Sequence, residues 1–283
     1  MDARHQIIVT AENNPYMVWQ SQLFHYSCVS RLRHTPVIFV HATPDDWHPG
    51  FGEIIRAGGM VCAAPSYRFT RCGDVYLPRN SPGTLLEAAG IFEGKDTVLV
   101  LCDADMIFAR EASFPGVLAA EGVGYLNYDR PDVRLAARRL GVPWKLLRAR
   151  MQNLSCAVPH VIPVAHARRL AEHWLEAVDA FTLEHWDISM YAFGLAVASL
   201  GLDLALTRQV TRNVYPLKRL EAEIIHYSSW ETTAGWSKRQ YRKEKQLSQV
   251  WEPQVNAPRG SILREILKQV VEAGGFYRAK TRW

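Results

Sequence analysis

The run Thr97–Arg110, TVLVLCDADMIFAR, decides how this chain folds and where its chemistry sits. Val98, Leu99, Val100 and Leu101 form a continuous apolar run with β-branched members, of a length that fits a strand covered on both faces, as at the centre of a parallel sheet. The run stops on acid. Asp103 and Asp105 flank one small residue, Ala104, so in an extended or turning backbone both carboxylates leave on the same side. Carboxylates held that close repel unless protons or a cation lie between them. Hard oxygen ligands at the carboxyl end of a strand suit Mg2+ or Mn2+, and open α/β sheets bind ligands along that edge. A solvated Asp-x-Asp turn is the alternative. The apolar residues on either side, Met106 and Ile107 included, bring the two readings level, and the rest of the chain decides between them.

Upstream, Gln6–Thr10 reads as a first strand that ends in a turn cluster, Ala11 to Pro15, before apolar spacing predicts a helix over Met17–Leu32. Pro36–His41 and Met60–Ala64 are two further strands. Between them, Asp45 and Asp46 lie in a polar loop and read as a solvated turn or helix cap. Ser81 followed by Pro82 has the pattern of a helix N-cap, and with Arg79 beside it that helix start suits a phosphate or the acidic edge of a metal site. A plain capped surface helix is the alternative.

Downstream, Gly122–Tyr128 reads as a strand, and Arg130–Arg150 as a basic amphipathic helix broken at Pro143, its arginines on a solvated face. Leu154–Val164 carries two prolines and suits an edge strand or an irregular segment. Ala167–Leu183 is a helix. Asp187 opens an apolar helix that runs through Leu200, where the helix dipole alone accounts for an acid, yet Trp186 beside it makes a sugar-holding pair equally natural. Ile224–Tyr227 is a last short strand whose His226 is either structural or a ligand for Mn2+. Lys238, Arg239, Arg242, Lys243 and Lys245 read as a solvated basic face. Ser261–Ala273 carries one apolar stripe, which predicts a helix docked on the body of the protein or, alternatively, lying at a membrane interface.

Composition sets the bounds. The 283 residues, 48% hydrophobic and 22% charged, are those of a globular protein, and a net charge of +5 is too modest to make nucleic acid the expected partner. Five cysteines, an odd number without a CxxC pair or metal-ligand spacing, argue against a disulfide framework or a zinc site and read as reduced. No signal-like or membrane-spanning apolar stretch occurs, so the expected location is cytoplasmic, with peripheral contact at the inner face of a membrane open through the tail.

In order along the chain, NPYMVWQSQLFHY (14–26), DADMIF (103–108), DISMYAFGLAVASLGL (187–202), IIHYSSW (224–230) and WSKRQY (236–241) resemble the hydroxyproline O-arabinosyltransferase and peptidyl serine O-galactosyltransferase group, which has the GT-A fold. The resemblance implies a single α/β, GT-A-like, Rossmann-type domain over residues 1–245, with a mostly parallel central sheet flanked by helices. Its nucleotide half would cover about 1–110 and its acceptor half about 111–245, followed by a C-terminal helical tail over 246–283. It implies a glycosyltransferase that uses a UDP-sugar with Mn2+ or Mg2+, retains the anomeric configuration, and acts on a hydroxyl of a glycan, glycolipid or protein. Carried over by position, Asp103, Asp105 and His226 would hold the metal. Thr10, Ala11 and Glu12 would border the uridine, Ala104 would lie between the metal-binding acids, and Arg79 would lie near the nucleotide or the aspartates. Lys238 or Arg239 would meet the β-phosphate, and Asp187 and Trp186 would face the donor sugar and acceptor. Two other classes compete. A sugar-nucleotide nucleotidyltransferase needs a glycine-rich loop after the first strand, where this chain has AENNPYMVWQ. A nucleic-acid-binding module would use the basic, aromatic stretch near the C-terminus.

Overall fold

Alternation of short apolar strands with helices produces the fold, and the computed structural model describes it for residues 4–182, 185–212, 214–228 and 234–280. β1 (Arg4–Glu12), α1 (Pro15–Ser27), β2 (Val37–His41), α2 (Pro49–Arg56) and β3 (Met60–Ala64) come first, and α3 (Asn80–Phe92) leads into β4 (Thr97–Asp103). Then follow β5 (Met106–Phe108), β6 (Ala119–Gly122), α4 (Pro131–Arg139), α5 (Trp144–Leu154), β7 (Cys156–Pro163), α6 (Val164–Asp179) and α7 (Ile188–Ser199). β8 (Ala205–Thr207), β9 (Val210–Arg212), β10 (Ile224–His226), α8 (Leu247–Val250) and α9 (Ile262–Lys280) complete the chain. Among the described residues the strands form a seven-stranded, mostly parallel sheet in the order β3-β2-β1-β4-β7-β6-β8 and a three-stranded sheet in the order β5-β10-β9. Thr97 to Cys102 of β4 are all buried, as expected for a strand covered on both faces.

Two compact units emerge, each from several stretches of chain. One comprises residues up to Ile8, Ala64–Cys102 and Phe114–Arg208; the other comprises Val9–Ala63, Asp103–Ser113 and the chain from Gln209 onward. In the first unit, α6 packs between α3 and α7. In the second, α9 packs on α1: Ile262, Leu263, Ile266, Leu267, Val270 and Ala273 form one buried cluster with Trp19, Leu23 and Ile225. The apolar stripe of the tail thus docks inward on the body of the protein. Among the described residues no helix is long and apolar enough to cross a membrane.

Several expectations are corrected. The strand predicted over Gly122–Tyr128 lies earlier, at β6, and only Gly122 is shared. β7 is no edge strand: it runs antiparallel between β4 and β6. It tolerates Pro159 there because the β6 register jumps from His160 to Ala157, so the ladder to β6 skips Val158 and Pro159 and needs no amide from the proline. The helix after β1 is α-helical only to Ser27 and continues as a π-helical turn over Cys28–Leu32. Asp45 and Asp46, as expected of a solvated turn, sit exposed in a single 3-10 turn. The five cysteines are all free thiols.

Two buried histidines make the fold acid-sensitive. In the second unit, His25 pairs through Nδ1 with the Tyr277 hydroxyl at 2.7 Å, and burial lowers its pKa to about 4. In the first, His160 lies against the rings of Phe193 (4.0 Å) and Trp174 (5.1 Å), and burial lowers it to about 3. Both are lowered from an unfolded value of about 6.5, so below that pH the unfolded chain takes up protons that the folded chain refuses. Stability is therefore fully present above about pH 6.5 and falls as pH drops, by up to about 1.4 kcal/mol per pH unit per histidine. Urea midpoints at pH 7, 6 and 5 test this. His160→Phe is expected to flatten the decline, and a midpoint unchanged between pH 7 and 5 would show that these rings are not held neutral.

Candidate functional site

The site begins where β4 runs out. Asp103 is the last residue of β4, Ala104 and Asp105 turn the chain, and β5 starts at Met106. β10 then pairs antiparallel with β5 so that His226 stands opposite Met106, and the Tyr227 amide donates to the Asp105 carbonyl at 3.0 Å. This register delivers the imidazole to the acids: His226 Nε2 lies 3.1 Å from Asp105 Oδ1 and 3.7 Å from Asp103 Oδ2. The Tyr227 hydroxyl donates to the Ala104 carbonyl at 3.3 Å and pins the turn from its other side.

Lys238 completes the cluster. Ser237 and Gln240 form a capping box that starts a 3-10 turn over Lys238–Tyr241, and this turn places the Lys238 ammonium on the Asp105 carboxylate. Lys238 is buried, which corrects the reading of the whole basic run as a solvated face. Arg239 beside it is exposed, with its amide on Ser237 Oγ at 3.3 Å. The first basic residue of the run thus belongs to the interior and the second to the surface.

The charges sort themselves accordingly. Burial alone would raise the Asp105 carboxyl, but Lys238 and His226 hold it well below the usual carboxylate range. Asp103, though partly exposed, is pushed up to about 6 by the protein that displaces water from around its carboxyl and by the neighbouring Asp105 charge. Burial pulls Lys238 down, yet Asp105 outweighs it and raises the ammonium above its ordinary value. Burial raises the Tyr16 hydroxyl above its ordinary value, and the nearby Lys238 charge works against that rise. Ligand atoms from Asp103, Asp105 and His226 all lie within 4.8 Å of one another. Two carboxylate oxygens and one imidazole nitrogen are a donor set that fits Mn2+ or Mg2+, so these three residues could hold a divalent cation.

The remaining predicted residues are placed as follows. Thr10, Ala11 and Glu12 form the carboxyl end of β1, with Ala11 fully buried. Arg79 makes a two-pronged ion pair with Asp179 through Nε and Nη2, both at 2.9 Å, and donates from Nη1 to the Tyr67 carbonyl at 2.7 Å. Ser81 lies within α3 and caps nothing; Asn80, at the start of the helix, accepts the Tyr67 amide at 2.8 Å instead. Asp187 precedes α7 without capping it through its side chain, and its carboxylate takes Arg130 Nη1 at 3.1 and 3.3 Å. Trp186 is exposed. Sequence reasoning missed Tyr16, Tyr227 and Arg130. Tyr16 follows the Asn-Pro turn after β1 and Tyr227 adjoins His226, so both were adjacent to features already singled out; Arg130 stood out only as one arginine among many.

A seven-stranded, mostly parallel sheet flanked by helices, with a helix at its C-terminal end, is a GT-A-like fold. Among solved structures, the chain is similar to the galactosyltransferase LgtC in complex with donor and acceptor sugar analogs, at 12% identity and a TM-score of 0.53 over 97% of this chain and 99% of that one. It is similar to an active-site mutant of LgtC at 12% identity and a TM-score of 0.50, over 86% and 95% of the two chains. It is also similar to the bifunctional glycosyltransferase WbbM in its apo structure, at 10% identity and a TM-score of 0.51 over 98% of this chain. There it spans about half the length, 52% of the WbbM chain. At these identities the likeness establishes the fold. No family model and no curated protein matches the chain.

Proposed function

We propose that the protein is a metal-dependent glycosyltransferase that moves a sugar, arabinofuranose, galactose or another, from a UDP-sugar to a hydroxyl of a glycan, glycolipid or protein, with retention and in the cytoplasm. The observation that carries this reading is the convergence of Asp103, Asp105 and His226 at the end of β4, with Lys238 against them. Asp103, Asp105 and His226 hold Mn2+ or Mg2+, which when bound neutralises the diphosphate of the donor. Thr10, Ala11 and Glu12 border the uridine. Breaking the anomeric bond builds negative charge on the leaving diphosphate, and Lys238 supplies a fixed positive charge to meet it. Arg239, exposed, is the weaker candidate for that task. The β-phosphate oxygen takes the proton of the acceptor hydroxyl on the same face, which leaves Asp187 and Trp186 to hold the sugars.

Calorimetric titration with UDP tests the reading. Saturable binding is expected with Mn2+ present and at least about tenfold weaker binding without it. Absence of UDP binding with either metal would sink the proposal. The anomeric configuration of the product, read by NMR, tests retention separately.

A further inference from the structure

Two large aromatic side chains stand exposed side by side in the first unit. Trp186 keeps 64% and Tyr125 keeps 42% of its surface accessible, and the rings lie 6.4 Å apart, inclined by 34°. Neither is loosely attached. The Trp186 carbonyl accepts the buried Tyr76 hydroxyl at 2.9 Å, and the same hydroxyl accepts the Ser189 amide at 2.9 Å at the start of α7. Tyr125 is tied to the same turn through its hydroxyl, 3.3 Å from the Met190 sulfur. Anchored yet exposed, these rings leave apolar area that folding did not cover, which is how a binding surface differs from a stray exposed side chain.

The rim says what fits. Asp187, next to Trp186, is bound by Arg130, whose other donors go to Asp132 at 3.0 and 2.6 Å. One guanidinium shared by two carboxylates leaves the group net negative, which disfavours a phosphate, an anionic lipid headgroup or a nucleic acid backbone. A carboxylate with lone pairs still open, beside aromatic faces, matches a neutral polyhydroxylated ring: its C–H face lies on the aromatics and its hydroxyls donate to Asp187. We infer that Tyr125 and Trp186 form a platform for a pyranose ring, with Asp187 oriented by Arg130 as its hydroxyl acceptor, and that the acceptor substrate is a saccharide rather than a protein side chain or a lipid. The assignment of this sugar as acceptor rests on the glycosyltransferase reading.

Saturation-transfer NMR with methyl β-galactopyranoside, methyl β-glucopyranoside and lactose tests it, with UDP and Mn2+ titrated into the same protein. At least one of these sugars is expected to receive saturation on the C–H protons of one ring face. The signal should fall about tenfold in Trp186→Ala and in Tyr125→Ala, and persist in Tyr125→Phe, which keeps the ring. Thermal melts identify any variant that fails to fold, and the Tyr125→Phe and Tyr125→Ala pair keeps the ring effect readable. If no pyranoside shows transfer while UDP binds, the platform is overturned and the transferase reading stands. Transfer that survives both alanine variants also overturns the platform. A sugar signal on a protein that does not bind UDP with Mn2+ would overturn the acceptor assignment together with the transferase reading.

Discussion

Asp105→Asn is expected to destabilise the protein by about 3–5 kcal/mol, because it removes one partner of a buried ion pair and leaves the other charged. Asp103→Asn should cost less than about 1 kcal/mol. The difference follows from the surroundings of the two acids. Asp105 is 13% exposed and contacts Lys238 and His226, each 8% exposed, whereas Asp103 keeps 39% of its side chain accessible and stands 3.7 Å from the imidazole. Asparagine can still accept hydrogen bonds at position 105 but cannot balance a buried ammonium. Adding Lys238→Met to Asp105→Asn should therefore restore most of the lost stability, since an uncharged pair of similar volume leaves no charge buried alone. Both single variants are expected to abolish the Mn2+ dependence of UDP binding, because each removes one of the three proposed ligands. Urea midpoints and calorimetry separate the two effects. Equal midpoints for the Asp103 and Asp105 variants would show that the Lys238 pair does not hold this turn, and undiminished metal dependence would remove the acids from the proposed metal site.

Gly194→Ala is the second large effect, a loss of about 2–3 kcal/mol where helix propensity alone would give a gain of about 1. Gly194 lies midway along α7, and a Cβ there would fall inside the Tyr128 hydroxyl and 3.1 Å from the Leu154 carbonyl. That hydroxyl donates to the same carbonyl at 2.8 Å, and Tyr128 is almost wholly buried with its ring edge-on to Tyr191, 5.1 Å away. The tyrosine has nowhere to retreat. Tyr128→Phe removes the obstructing oxygen, so Gly194→Ala in that background should cost well under half as much, a coupling above about 1 kcal/mol. A Gly194→Ala protein as stable as the parent would show that α7 and Tyr128 are not in such close contact.

Much of the architecture was legible because it depends on local pattern. The apolar run Val98–Leu101, the Asn-Pro turn after β1 and the break at Pro143 each act on the backbone within a few residues, and each lies where the sequence puts it. The misreadings share a different cause. β6 was placed too late because Ala119 and Ala120 carry little strand preference of their own and are held by pairing with β7 and β8. β7 looked like an edge because of its prolines, and only the register of its neighbour reveals that Pro159 lies where no ladder bond is required.

The candidate site divides in the same way. The sequence alone determined that two carboxylates would leave one strand end together, that His226 would end another strand, and that an acid and a tryptophan would open α7, because those features depend on residue type and on a period of two or a few residues. Tertiary structure alone decided which basic residue joins the acids. Lys238 and Arg239 are neighbours with the same sign of charge, and only the turn set by Ser237 and Gln240 puts the first into the interior against Asp105 and the second at the exposed surface. It likewise decided that Arg79 serves Asp179 and that Arg130, 57 residues from its partner, holds Asp187. Long, flexible cations reach partners far away in the chain, and their choice is set by where a carboxylate has been buried, which composition and spacing do not encode.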